Sequence, residues 1–155
     1  MKKLSILFCS LLVVIALTAW RTIGFNQGGT PIYATLLGEN ERPGPGDPDG
    51  FGTFEMTLNL GQGILTYVLT TEDIAPATAA HIHVAPPSAA GPVLIPLTPP
   101  TSGISSGTID LKMLFSSNWK QMIKDLRQNP EDYYVNVHNA DYPPGAIRGQ
   151  LSKHK

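Results

Sequence analysis

Beyond position 9 the sequence contains no cysteine; Cys9 is the only one in 155 residues. Disulfides, thiol catalysis and thiolate metal ligands are therefore excluded from everything that follows it. Charge is also scarce: Asp, Glu, Lys and Arg make up 15% of the chain, 11 basic against 12 acidic, with no basic run. Nucleic-acid binding depends on clustered Lys and Arg to neutralise phosphates, so that role is excluded. There is no P-loop, no dinucleotide-binding glycine fingerprint, no nucleophile elbow and no internal repeat. What the chain does have is turn residues, 15 Gly and 14 Pro, spread among short apolar segments.

One apolar run stands apart. Residues 4–19 follow Met1-Lys2-Lys3 and are broken only by Ser5, Cys9, Ser10 and Thr18. A basic start and an apolar stretch form the pattern of a secretory signal. Cleavage is expected after Ala19, although Leu17 is larger than the small residue usual two places earlier. The alternative is an uncleaved anchor, for which the run is short of the ~20 residues a span needs. Cys9 follows Phe8 inside the run and lacks the small neighbours of a lipidation site. Loss of Lys2 and Lys3 would leave 9 basic and 12 acidic residues and a net charge of −3. The expected location is secreted or extracytoplasmic, in a periplasm or at a cell surface. Residues 20–30 read as a flexible lead-in, 31–152 as one domain and 153–155 as a tail, where His154 is solvated. No membrane span is expected unless the signal is retained.

Within 31–152 the pattern is β. Ile32, Ala34 and Leu36 alternate with Tyr33, Thr35 and Leu37, and Phe54, Met56, Leu58 and Leu60 repeat with a period of two. Gly61-Gln62-Gly63 predicts a hairpin turn into a strand over 64–70. Further strands are expected at 80–84, 93–97, 107–111, 133–138 and 147–151. The Pro/Gly-rich stretch 43–50 excludes helix and central strand. Trp119, Met122, Ile123 and Leu126 form an amphipathic stripe, predicting one short helix near 117–128, capped by Ser116 or Ser117 and stopped by Pro130. The fold class is all-β, a β-sandwich or flattened barrel with one helix packed over an end or side.

His81 and His83 share one face of the 80–84 strand, while Ala80, Ile82 and Val84 share the other. The apolar set marks the core side. By the same alternation Val135 and Val137 point inward, and Tyr134, Asn136 and His138 outward. The three histidines are thus expected on outer faces, where an imidazole need not be desolvated. If the two strands are neighbours, three imidazoles converge, a donor set that suits copper or zinc. A second reading has these histidines bonding loop carbonyls and fixing the long connections. Tyr134 and Asn136 are candidate partners that would orient an imidazole. The acidic pairs Glu39/Glu41, Asp47/Asp49, Glu72/Asp73 and Glu131/Asp132 read as loop charges.

The blocks Leu37-Gly38-Glu39-Asn40-Glu41-Arg42-Pro43, Ala80-His81-Ile82-His83, Gly91-Pro92-Val93, Asp110-Leu111, Tyr134-Val135-Asn136-Val137-His138 and Gly145-Ala146-Ile147-Arg148-Gly149-Gln150-Leu151 occur in the order seen in CHRD (chordin) domains. The resemblance spans roughly 31–152 and resembles the single-domain secreted microbial type. Arg42-Pro43-Gly44 departs from the usual apolar residue and two prolines, in a loop. A more distant likeness is to copper–zinc superoxide dismutases, which implies a Greek-key flattened barrel of dismutase-like or immunoglobulin-like type. On that likeness His81, His83 and His138 look like the copper ligands, and Arg148 like the arginine that steers an anionic oxygen species. No histidine lies between His83 and His138, so the bridging and zinc ligands have no counterpart and no zinc pair is expected. Arg148 has an equally plain structural reading, bonding loop carbonyls or pairing with Glu39, Glu41 or Asp141. Tyr142-Pro143-Pro144-Gly145 reads as a rigid turn before the last strand.

Three functions fit. The first is a binding module with a mononuclear copper site of His81, His83 and His138. The second is an interaction module that meets an extracellular protein or cell-surface partner through loops 42–50 or 85–92. The third is a copper-only, dismutase-like redox enzyme using Arg148. The expected order of preference is binding, interaction, enzyme.

Overall fold

The computed structural model describes Gly29 and residues 31–155. The expected signal, 1–19, and nearly all of the lead-in lie outside the described residues. Among the described residues alternating apolar side chains build eight strands: β1 (Ile32–Leu37), β2 (Phe51–Asn59), β3 (Ile64–Glu72), β4 (Ala77–Val84), β5 (Val93–Leu97), β6 (Ile104–Asp110), β7 (Tyr133–Asn139) and β8 (Ile147–Gln150). They form one sheet in the order β5-β4-β7-β8-β1-β2-β3-β6, antiparallel throughout. The sheet curls into a nearly closed, flattened barrel. At the remaining seam, where β5 faces β6, the backbone N–H of Thr98 donates to the Tyr67 hydroxyl at 2.8 Å, and Ser105 Oγ donates to the Thr98 carbonyl at 2.7 Å.

The inward residues of every strand meet in one core. Ile32, Leu36, Phe54, Met56, Leu65, Tyr67, Leu69, Ile82, Ile95, Val135, Val137 and Ile147 are all 0–1% exposed. Leu60, expected on the inward stripe of β2, is instead 43% exposed. The strand stops at Asn59, whose side-chain oxygen accepts from the N–H groups of Gly61 and Gln62 and so folds the turn early. That turn also requires glycine at Gly63, whose φ is +72°.

Among the described residues two short helices, α1 (Leu111–Phe115) and α2 (Trp119–Gln128), stand where one was expected. The strand expected to reach Leu111 ends at Asp110, because its carboxylate accepts from Lys112 N at 2.8 Å and Met113 N at 3.4 Å. That is an N-cap, and it starts α1 at once. Neither Ser116 nor Ser117 caps α2. After a kink at Ser116, whose φ is +48°, a single 3-10 turn leads into Trp119, so no extended residue precedes it and Asn118 makes no side-chain cap bond. The stripe itself packs as expected, with Ile123 and Leu126 buried against the core, and α2 ends before Pro130.

The antiparallel order gives the barrel two distinct ends. One carries the loops 38–50, 73–76 and 140–146; the other carries α1, α2 and the loop 85–92.

Candidate functional site: a three-histidine cluster under the loops

β4 and β7 are neighbours, paired His81 with Asn136 and His83 with Tyr134, while Ala79 faces His138. Their inward sides are core: Ala80, Ile82, Val135 and Val137 are at most 1% exposed. Val84, expected with them, is 37% exposed. A register shift against β5 between Ile82 and His83 breaks the alternation just before it, as an irregular step in a ladder does.

The outward side is not open to solvent as expected. Loops 38–50, 85–92 and 140–146 fold over it, leaving His83 at 7%, Tyr134 at 3%, Asn136 at 2% and Arg148 at 1% exposure. A second, polar interior lies here, outside the barrel wall. Desolvation is accordingly the main force on the imidazoles. Burial holds both His81 and His83 below the ordinary histidine value, with the neighbouring imidazoles pushing the same way; for His83 the Gly91 carbonyl opposes the shift.

Each imidazole is held by a specific partner. His83 Nδ1 donates to the Gly91 carbonyl at 2.9 Å, and the Gly91 N–H donates to the Tyr134 hydroxyl at 3.1 Å. The His83 ring also stacks on Tyr134, with centroids 4.7 Å apart and planes 9° from parallel. His138 Nδ1 donates to the Pro143 carbonyl at 2.9 Å, in the turn that Gly145 N closes back onto Tyr142. These bonds leave Nε2 of both rings as bare lone pairs. His81 Nδ1 lies 3.3 Å from His138 Nε2, so in the metal-free cluster the Nδ1 proton of His81 bonds its neighbour. Among the described residues, His83 Nε2 is buried without a hydrogen-bond partner.

One nitrogen from each of His81, His83 and His138 lies within 4.8 Å of the other two. The three can hold a metal ion. Moving the His81 proton from Nδ1 to Nε2, a change of tautomer that releases no proton, would free the third lone pair. The fit rests on the donor set and on the orphaned Nε2 of His83, a buried acceptor that an ion would satisfy.

Arg148 lies behind this cluster. Its guanidinium carbon stands 3.5 Å from the centroid of the Tyr134 ring, and Nη2 donates to the Pro86 carbonyl at 3.0 Å. Two planar groups at such distances cannot share one face of the phenol, so Tyr134 separates Arg148 from His83. Asn136, the register partner of His81, donates its amide to Glu41 across a very short contact. Glu41 departs from the loop-charge expectation. It is 3% exposed, and burial raises its carboxyl to about 7 against the pull of Arg148 and Asn136. The sequence marks Glu41 by its place in the 37–43 block and as one of three candidate partners for Arg148, while its burial goes unmarked because neither alternation nor spacing assigns a face to a loop residue.

Residues 32–151 match the CHRD domain. The chain belongs to the CHRD family. No curated protein and no solved structure matches it. The matched span begins at the first residue of β1 and ends one residue after β8, so the CHRD domain is the whole barrel together with its loops and histidine cluster.

Proposed function

We propose that this CHRD domain is an exported metal-binding module whose ion, copper, is held by His81, His83 and His138. The observation that carries the reading is the buried Nε2 of His83, without a hydrogen-bond partner among the described residues, on a ring clustered with two other imidazoles. Neutral imidazoles are copper ligands, and the lowered affinity of His81 and His83 for protons keeps them in the ligand form near neutrality. The Gly91 and Pro143 carbonyls would fix the rings, the usual task of partners one shell out from an ion. Bound copper would supply an electron-accepting centre. The dismutase-like reading requires Arg148 at the ion's open position, and the Tyr134 ring between Arg148 and His83 favours binding over that redox role.

A second reading has support from the same two carbonyls: the histidines would simply tie loops 85–92 and 140–146 to the sheet, leaving those loops to meet an extracellular partner. Copper titration separates the two. The wild-type protein is expected to bind one Cu(II), with a visible ligand-field band and a thermal shift of roughly 10 °C at a hundredfold excess over Kd. His81→Ala/His83→Ala should lose both signals. Equal, weak responses from the two proteins would remove the metal reading and leave the structural one.

A further inference from the structure

We propose that the α1–α2 end of the barrel docks onto an anionic lipid surface. This rests on features remote from the histidine cluster. Between α2, the β2–β3 turn and the start of β1 lies a groove of about 730 Å³ whose wall includes Lys120, Lys124, Arg127 and Lys153. Among the described residues, none that lines it is acidic. The acids of this end, Asp110, Asp125, Glu131 and Asp132, lie outside the groove, two of them engaged in the α1 cap and in a bond from Gln121.

The groove is not merely cationic. Its floor holds Ile32, Ile123 and Trp119, with Leu60 at its rim, 43% exposed. Beside Trp119, α1 presents Met113 at 84% and Leu114 at 41% exposure. The ammonium groups of Lys112 and Lys120 sit 5.9 and 5.6 Å from the Trp119 ring. Exposed apolar side chains ringed by Lys and Arg, with a tryptophan between, match the layering of an anionic bilayer: headgroups outside, acyl chains beneath. A soluble anion would use the charges and leave Met113 and Leu114 without a role.

The chain itself points to the same occupant. Ile32 lines the groove and opens β1, so the chain enters the domain at this end. The opposite end carries Glu39, Asp47, Asp49, Asp73 and Asp141 and would be repelled by anionic lipid. One face is thus attracted to such a surface and the other turned from it.

The test uses the full chain with Trp20→Phe, which leaves Trp119 as the single tryptophan. It is mixed with vesicles of neutral phosphatidylcholine, or with about a third anionic phosphatidylglycerol, each carrying brominated acyl chains. Quenching of Trp119 by the anionic vesicles, relieved by high salt, is the expected result. Lys120→Gln/Lys124→Gln/Arg127→Gln should weaken anionic binding about a hundredfold, at about fivefold per charge. Met113→Gln/Leu114→Gln, two exposed positions, should reduce quenching while leaving the salt dependence. Equal attachment to both vesicle types with Trp119 unquenched would overturn the proposal, because the N-terminal run alone would then hold the chain. Capture of a soluble polyanion such as dextran sulfate without vesicle binding would overturn it too.

Discussion

At Gly145 a single added carbon would stand 2.4 Å from Glu41 Oε2 and 2.5 Å from Asn136 Nδ2. Both neighbours are buried and bonded to each other, so neither can retreat without breaking the polar interior. Gly145→Ala is expected to cost about 1–3 kcal/mol through overpacking, measured by urea unfolding, with backbone strain at a φ of +156° adding to it. Glu41 also sets a pH dependence. Its folded value, about 7, exceeds its ordinary 4.5, so its contribution to stability is complete below pH 4.5 and is lost as pH rises through 7. His81 and His83 act in the other direction: their values are lowered, so stability is complete above the ordinary 6.5 and falls as acid protonates the unfolded chain preferentially. Glu41→Gln removes only the first effect. In metal-free protein, the melting temperature of that variant relative to wild type should therefore climb between pH 4.5 and 7. A flat difference would show that Glu41 ionises as freely as in the open chain. The histidine face was legible because strand alternation needs only a period of two. That its outer side is roofed was not, since loops declare no face in the sequence.

Among the elements, the strands followed their apolar rhythm closely, and α2 followed its stripe. α1 escaped notice because five residues hold barely more than one helical turn, too little for any period to show. Its existence depends on Asp110, whose carboxylate satisfies two backbone N–H groups. Asp110→Ala is expected to cost about 1 kcal/mol, seen as a lower urea midpoint with unchanged slope. Leu126, fully buried beneath α2, carries more. Leu126→Ala should cost about 2–5 kcal/mol by the same measurement, since the helix closes one end of the core and cannot collapse into the space left.

For the molecule as a whole, charge is sorted along the barrel. The loops 38–50, 73–76 and 140–146 hold acidic residues at one end, while Lys112, Lys120, Lys124, Arg127, Lys153 and Lys155 gather at the other. The near-neutral net charge of −1 hides this separation, which composition alone could not reveal. Stability without a disulfide rests on one apolar core and one polar annex, and β8 joins them: Ile147 fills the first and Arg148 the second.

The position of β8 has a consequence in time. β8 lies between β7 and β1, so the first strand made waits for the last one before its second edge is covered. The isolated bridge between Tyr33 and Ser152 adds to that dependence. A chain emerging from the ribosome cannot shut its barrel until about position 150 is free, and pairings this distant form slowly. A chain ending at Asp141 should show no cooperative melting and no near-ultraviolet dichroism, whereas removal of Lys155 alone should leave both intact. Under the export proposed above, that delay would present a translocation channel with a chain whose barrel is not yet shut.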